Sequence, residues 1–336
     1  MPEAVFAGLS GREMPGFVDI QVNGGFGFDF TADPSSIWEV GAHLPRLGVT
    51  AFVPTVITSP PEVAVRALEV LAHGPPPGWV GARPIGLHLE GPMISPARRG
   101  VHPGAHIVDP DVALVDELVA AGPPLMVTVA PELAGCEAVV RRLADAGVVV
   151  AVGHSDAPAG VVREAATWGA RHATHLFNAM SGLDHRNPGV AAAVLTHDHY
   201  TTGLIADGVH VAPDLLRLAF LTMGAGRIAL VTDATSALGT RPGNHRLGDT
   251  ELSIEGLEVR GPEGQLAGGA APMAHLLGAM RRLECGWADL TAMTSTTPAR
   301  IVGYVPDPGN RVLLDDDLGV AATAIAGEVV YRRAGS

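Results

Sequence analysis

Alternating strand-forming and helix-forming segments constrain this chain more than any other feature. The stretch Val148–Met180 shows the pattern twice. Val148–Val152 is an apolar, mostly β-branched run, too short for a buried helix, and it stops at Gly153-His154. An amphipathic helical segment, Ala157–Gly169, follows, and Ala173–Asn178 returns as a second short strand carrying His175. Two such units in succession imply a parallel sheet, since neighbouring parallel strands need a long crossover between them. The same kind of run recurs at Pro15–Gly25, Val49–Ile57, Pro84–Pro92, Leu125–Glu132, Thr201–His210 and Arg227–Ala234. Helices are expected over Ser35–Leu47, Glu62–Ala72 and Asp111–Ala121. Eight strands, mostly separated by helices, predict an α/β fold of the (β/α)8 TIM-barrel type. A doubly wound open sheet, the competitor, needs fewer strands and usually a glycine fingerprint after the first.

Beyond the eighth strand, Gly239–Gly264 reads as loop and hairpin, and Pro272–Leu283 and Asp289–Val302 as helices. The alternation in Arg311–Arg333 suits a small β appendage to which the first residues of the chain pair, with Val5–Leu9 as one edge strand. The expected division is a barrel over residues 15–304 and an appendage made of residues 1–14 and 305–336.

Barrels of this kind place their chemistry at the carboxyl ends of the strands, so residues closing several strands meet in one mouth. Glu90, His154, His175 and Asp233 close the third, fifth, sixth and eighth runs. Either histidine alone is most simply a hydrogen-bonded core residue, but two at matching strand ends point to function. Glu90, with His88 on the same face of its strand, sits in an apolar run where a carboxylate needs an arginine partner or a metal. Two histidines and one carboxylate are the ligand count of a catalytic zinc site with an open position, and they also suit iron(II), manganese or cobalt. Asp233 is placed to take a proton from the attacking water and return it to a leaving group. Asp19, Gln21 and Asn23 alternate with apolar residues and share one face of the first strand. The loop Met93–Ile107, rich in Gly, Pro and Arg, suits a lid or a substrate contact.

Composition closes off other chemistries. Net charge is −13, which argues against nucleic acid or an anionic membrane as the main partner. All 22 basic residues are arginine, so Schiff-base catalysis, a P-loop lysine and a carbamoylated lysine between two metals are excluded. The two cysteines, Cys136 and Cys285, form no paired motif. No signal-peptide pattern or bilayer-length apolar run is present, and a soluble, cytoplasmic protein is expected.

Nine motifs then carry a resemblance. They are PGFVDIQVNGG (Pro15–Gly25), HLEGPMISP (His88–Pro96), GVHPGAH (Gly100–His106), VGHSDA (Val152–Ala157), THLFNAMSGL (Thr174–Leu183), HRNPG (His185–Gly189), IADGVHV (Ile205–Val211), VTDA (Val231–Ala234) and QLAGG (Gln265–Gly269). In these, and in their order along nearly the whole chain, the sequence resembles the N-acetylglucosamine-6-phosphate deacetylases of the metal-dependent amidohydrolase superfamily. The resemblance implies a barrel with a small β-sandwich, here shortened at its N-terminal part. It also implies one divalent metal per subunit, held by Glu90, His154 and His175, with Gln21 near the metal or its water. Asp233 is then general base and acid, and His102 polarises the N-acetyl carbonyl. Asn178 and Ala179 contact substrate near the phosphate, while Arg186 and His210 bind the phosphate, partly across a homodimer interface.

Some relatives carry a His-x-His pair on the first strand and bind two metals; here those positions are Gln21 and Asn23, which implies a single-metal site. Asn187 stands where the family usually has Glu, and Gly269 where Ser is usual. The implied reaction is deacetylation of N-acetylglucosamine 6-phosphate. N-acetylgalactosamine 6-phosphate or another N-acyl amino sugar is the alternative substrate. A non-catalytic sugar-phosphate-binding protein is the remote alternative, since it would require loss of a ligand or of the base.

Overall fold

The computed structural model describes residues 5–6, 9–241, 243 and 245–334. Eight parallel strands follow one another around a barrel: β1 (Phe17–Val22), β2 (Val49–Ile57), β3 (His88–Glu90), β4 (Met126–Val129), β5 (Val149–Val152), β6 (Ala170–Ala173), β7 (Thr201–Leu204) and β8 (Ile228–Leu230). Each pairs with the next in chain order, which is the sequential closure expected from repeated βα units. The ring is drawn shut between β1 and the segment after β8. There Val22 bridges Ala234, and the Asn23 N–H donates to the Ala234 carbonyl at 2.7 Å.

The strands are apolar on both faces because both are covered. Val127, Val129, Val150 and Val152 pack outward in one cluster with helix residues such as Leu118, Val140 and Val162. Met126, Val149 and Ala151 point inward and join Val18, Ile20 and Val53 in a second cluster, with Ile301 and Val302 among its members. Above this apolar layer the barrel interior turns polar. His88 is fully buried and its Nε2 lies 2.7 Å from Thr128 Oγ1, which pairs at 2.7 Å with Thr174 Oγ1.

Most element positions agree with the alternation in the sequence, and one differs materially. The sixth strand is Ala170–Ala173, ending where the expected strand Ala173–Asn178 begins. Thr174–Asn178 is instead a tight turn above the strand, in which His175 and Phe177 have positive φ.

The appendage is one four-stranded antiparallel sheet in the order Arg12–Pro15, Arg311–Leu314, Val320–Ile325, Glu328–Arg332. Met14, Val312 and Leu314 face the barrel, while Phe6 packs with Leu313, Ala322 and Ala324 on the opposite side. Of the edge strand expected at Val5–Leu9, Val5 and Phe6 form a turn and residues 7–8 lie outside the described residues. A second small sheet, His245–Leu247, Thr250–Glu255 and Glu258–Arg260, occupies the Gly239–Gly264 excursion. Its apolar side packs on Ile57 and Val101, and the Gly248 N–H donates to the buried Asp29 carboxylate at 2.6 Å, so it is fastened beside the barrel mouth.

Asp19 fastens β1 to the residues after β8, accepting from Thr232 Oγ1 at 2.5 Å and from the Thr232 N–H at 3.3 Å. Burial pushes this carboxyl up to about 7, against the lowering effect of those hydrogen bonds. A carboxyl raised in the folded state favours folding while it is protonated, and that contribution is lost as pH rises through the folded value. The neutral Asp19→Asn variant should therefore gain stability over the parent steadily between about pH 4 and 7, at roughly 1.4 kcal/mol per pH unit. Thermal melts of both proteins across that range measure the difference. A difference that does not change with pH would rule the account out.

Candidate metal centre and active-site cleft

Glu90, the last residue of β3, is fully enclosed and points up into the barrel mouth. His154 and His175 follow β5 and β6, two positions beyond the last strand residue in each case. Strict alternation would turn both outward. Gly153 and Thr174 are inward-facing: a Cβ on Gly153 would lie 2.9 Å from Thr128 Cγ2 and 2.9 Å from Thr174 Cβ. The backbone instead turns left-handed, with φ of 47° at His154 and 30° at His175, and brings both imidazoles into the mouth. Asp233, beyond β8, has φ of 48°. Non-glycine residues hold such angles only where the surroundings enforce them, and here three of the candidate site's side chains do so.

One ligand atom from each of Glu90, His154 and His175 lies within 4.8 Å of the others. His175 Nε2 is 2.9 Å and His154 Nε2 3.2 Å from Glu90 Oε1, and the two Nε2 atoms are 3.2 Å apart. His154 Nδ1 donates to the Arg98 carbonyl at 2.9 Å, which leaves Nε2 as a lone pair aimed at another acceptor. Three acceptors converging in a buried space call for a cation between them. Burial would raise the Glu90 carboxyl, but the two adjoining imidazoles, His154 and His175, outweigh this and hold it well below the usual range. Burial would lower His175, yet Glu90 raises it overall, so the cluster as a whole attracts positive charge. These residues fit a divalent ion of the kind held by two imidazoles and one carboxylate.

Around this centre lies a cleft of about 410 Å³. His102 lies against His154, with ring centres 4.3 Å apart and planes tilted by 45°, its Nδ1 anchored 2.9 Å from Thr58 Oγ1 and its Nε2 3.9 Å from Glu90 Oε2. Burial, then the charge of His154, holds it well below its ordinary value, so it is a neutral imidazole. Gln21 Nε2 bridges Glu90 Oε1 at 3.2 Å and Asp233 Oδ1 at 3.0 Å. Burial, and next the charge of Glu90, push the Asp233 carboxyl up to about 6. His210 lines the same cleft, its Nδ1 held at 2.7 Å by the buried Asp207 carboxylate. Asn178 and Ala179 line it too, Ala179 with φ of 47°.

Arg186 is not brought into this cleft. It is exposed and lines a separate depression with Arg98, Arg163 and Asp184. Sequence reasoning did not single out Thr58, whose role as anchor for His102 leaves no mark in the local pattern. It also passed over Leu247, which lines the cleft from the small sheet beside the mouth, and gave no individual role to Arg98, Gln265 or Leu266, which line it from the Met93–Ile107 loop and the QLAGG motif. Met93–Ile107 does reach the cleft, through Ala97, Arg98, Gly100, Val101 and His102.

No protein-family model matches the chain. It is 39% identical to the N-acetylglucosamine-6-phosphate deacetylase of Homo sapiens, over 95% of this chain and 83% of that protein. It is 35% identical to the N-acetylgalactosamine-6-phosphate deacetylase of Shewanella sp. (strain ANA-3), over 96% of this chain and 84% of that one. Among solved structures it is similar to a mutant N-acetyl-D-glucosamine-6-phosphate deacetylase from Mycobacterium smegmatis, in complex with N-acetyl-D-glucosamine-6-phosphate. The TM-score is 0.88 at 34% identity, covering 96% of this chain and 87% of that one. No helix among the described residues is long and apolar enough to cross a membrane.

Proposed function

Because the chain belongs to the N-acetylglucosamine-6-phosphate deacetylases, we propose that it hydrolyses the acetamide of N-acetylglucosamine 6-phosphate, giving glucosamine 6-phosphate and acetate. The observation that carries the reading is the buried Glu90–His154–His175 cluster in a cleft that Asp233 and His102 also line. The three ligands would hold one divalent ion, zinc first by their chemistry, with iron, manganese and cobalt as alternatives. When bound, that ion supplies Lewis acidity to the acetyl carbonyl and to the attacking water.

The chain's own residues do the rest. His102, its ring fixed by Thr58, meets the acetyl carbonyl oxygen from Nε2. Asp233 takes a proton from water as the new C–O bond forms and passes it to the sugar nitrogen as the C–N bond breaks. Asn178, Ala179 and His210 receive the sugar phosphate end. Arg186, exposed and outside its own subunit's cleft, reaches the phosphate of a second copy, and we read the protein as a homodimer for that reason. Its planar fork suits a phosphate. Two unpaired, buried cysteines fit a reducing compartment, and the cytoplasm is the proposed location.

The test is metal content together with acetate release from three substrates: N-acetylglucosamine 6-phosphate, its unphosphorylated form and the galacto epimer. About one metal per chain is expected, with turnover that depends on the phosphate and favours the gluco sugar. The 35% identity to a galactosamine-specific relative makes a galacto preference the second reading. Metal without turnover on any of the three would overturn the assignment of substrate.

A further inference from the structure

We infer that Asn23, with Gln21 beside it, is the positioning residue that aims Asp233: two amides at the end of the first barrel strand hold one carboxylate oxygen and leave the other for the reaction. The inference rests on Asp233 as the group that moves the proton.

Asn23 Nδ2 donates to Asp233 Oδ1 at 2.7 Å and Gln21 Nε2 donates to the same oxygen at 3.0 Å. A carboxylate oxygen has two lone pairs in its plane, so two donors occupy Oδ1. Oδ2 is turned elsewhere. Gly268, which lines the cleft, has φ of 62°, and a Cβ there would lie 2.7 Å from the Asp233 carbonyl and 3.7 Å from Oδ2. No side chain at that position stands between Oδ2 and the cleft.

The anchorage reaches the backbone as well. The N–H of Asn23 donates to the Ala234 carbonyl at 2.7 Å, and the Gly269 N–H to the Asp233 carbonyl at 2.7 Å. The residue just past β1 therefore grips the loop after β8 twice, once through its backbone and once through its amide. Amide N–H groups are donors and cannot ligate a cation through nitrogen. On this strand they face the carboxylate that must be oriented.

A third observation separates this arrangement from simple packing. Asn23 Oδ1 is buried and has no hydrogen-bond partner. A purely structural amide avoids leaving an acceptor unpaired. An amide beside a reacting carboxylate, lining the cleft, has a use for it as an acceptor from substrate or water.

The experiment is a double-mutant cycle on the metal-loaded enzyme with Asn23→Leu, which keeps the approximate shape and removes the donor, and Asp233→Asn. Asn23→Leu should lower kcat by about 10- to 100-fold with KM within about twofold, and metal content and thermal midpoint should match the parent. In the Asp233→Asn background it should cost nothing more, because there is no proton-moving carboxylate left to aim. A crystal structure of Asn23→Leu should show the Asp233 carboxylate rotated. If that variant does not fold, Asn23→Ala is carried through the same cycle. An unchanged kcat with inactive Asp233→Asn would overturn this inference alone. So would losses that multiply in the double mutant, or loss of metal. A fully active Asp233→Asn would instead overturn the reading on which it rests.

Discussion

Asp233→Asn is expected to lower kcat by about a thousandfold while metal content stays at the parent level. The substitution is close to isosteric, and the side-chain oxygen of the new Asn still accepts from Gln21 and Asn23, so the local network survives. What is lost is the group that takes a proton. A thousandfold loss corresponds to about 4 kcal/mol of transition-state stabilisation, within the usual reach of general acid-base catalysis. The parent should also lose activity in acid, as Asp233 takes up its proton. Burial and the neighbouring charge of Glu90 push that carboxyl up to about 6, and a cation among the ligands offsets Glu90 and moves the fall to lower pH. Steady-state kinetics from pH 5 to 9 on both proteins, with metal analysis of the same samples, make the measurement. A variant that retains full kcat with its metal bound would remove Asp233 from the mechanism.

The second large effect belongs to Glu90. Glu90→Gln should leave the protein folded, with no measurable metal and no measurable turnover. Glu90 Oε1 is shared by both imidazoles, at 2.9 and 3.2 Å, so replacing the carboxylate removes the only anion in the ligand set. The new amide carries N–H donors that satisfy the lone pairs of His154 and His175, and for that reason the fold should tolerate the change. Parent protein stripped with a chelator is the comparison. It should regain activity when zinc is returned, and Glu90→Gln should not. Since ligands must lose protons to bind a metal, reloading should weaken as pH falls. A Glu90→Gln protein holding a full equivalent of metal would show that the ion sits elsewhere.

Much of this was legible in the sequence because it depends on local pattern. Apolar runs at β1, β2, β4 and β5 are buried on both faces, and such runs between amphipathic helices have few folded solutions. Glu90 stood out because a carboxylate in so apolar a run needs a partner. His154 and His175 stood out because each follows a strand. The sixth strand was displaced by several residues, since Thr174–Asn178 has strand-forming composition but folds as a turn. Strand propensity reflects packing context more than backbone preference.

The sequence by itself determined the order of strands and helices, the chemical types available for a site and the absence of lysine chemistry. Tertiary structure alone decided how those groups are aimed. By alternation, His154 and His175 would face the surrounding helices, and only the left-handed backbone at each turns them to Glu90. The hydrogen bonds of Asn23 and Gln21 to Asp233 span 210 and 212 residues, and that of Thr58 to His102 spans 44. Local pattern is blind to such pairs, because a hydrogen bond depends on distance and angle in space. The placement of Arg186 outside the cleft likewise follows from where the loops settle, which periodicity in the chain does not encode.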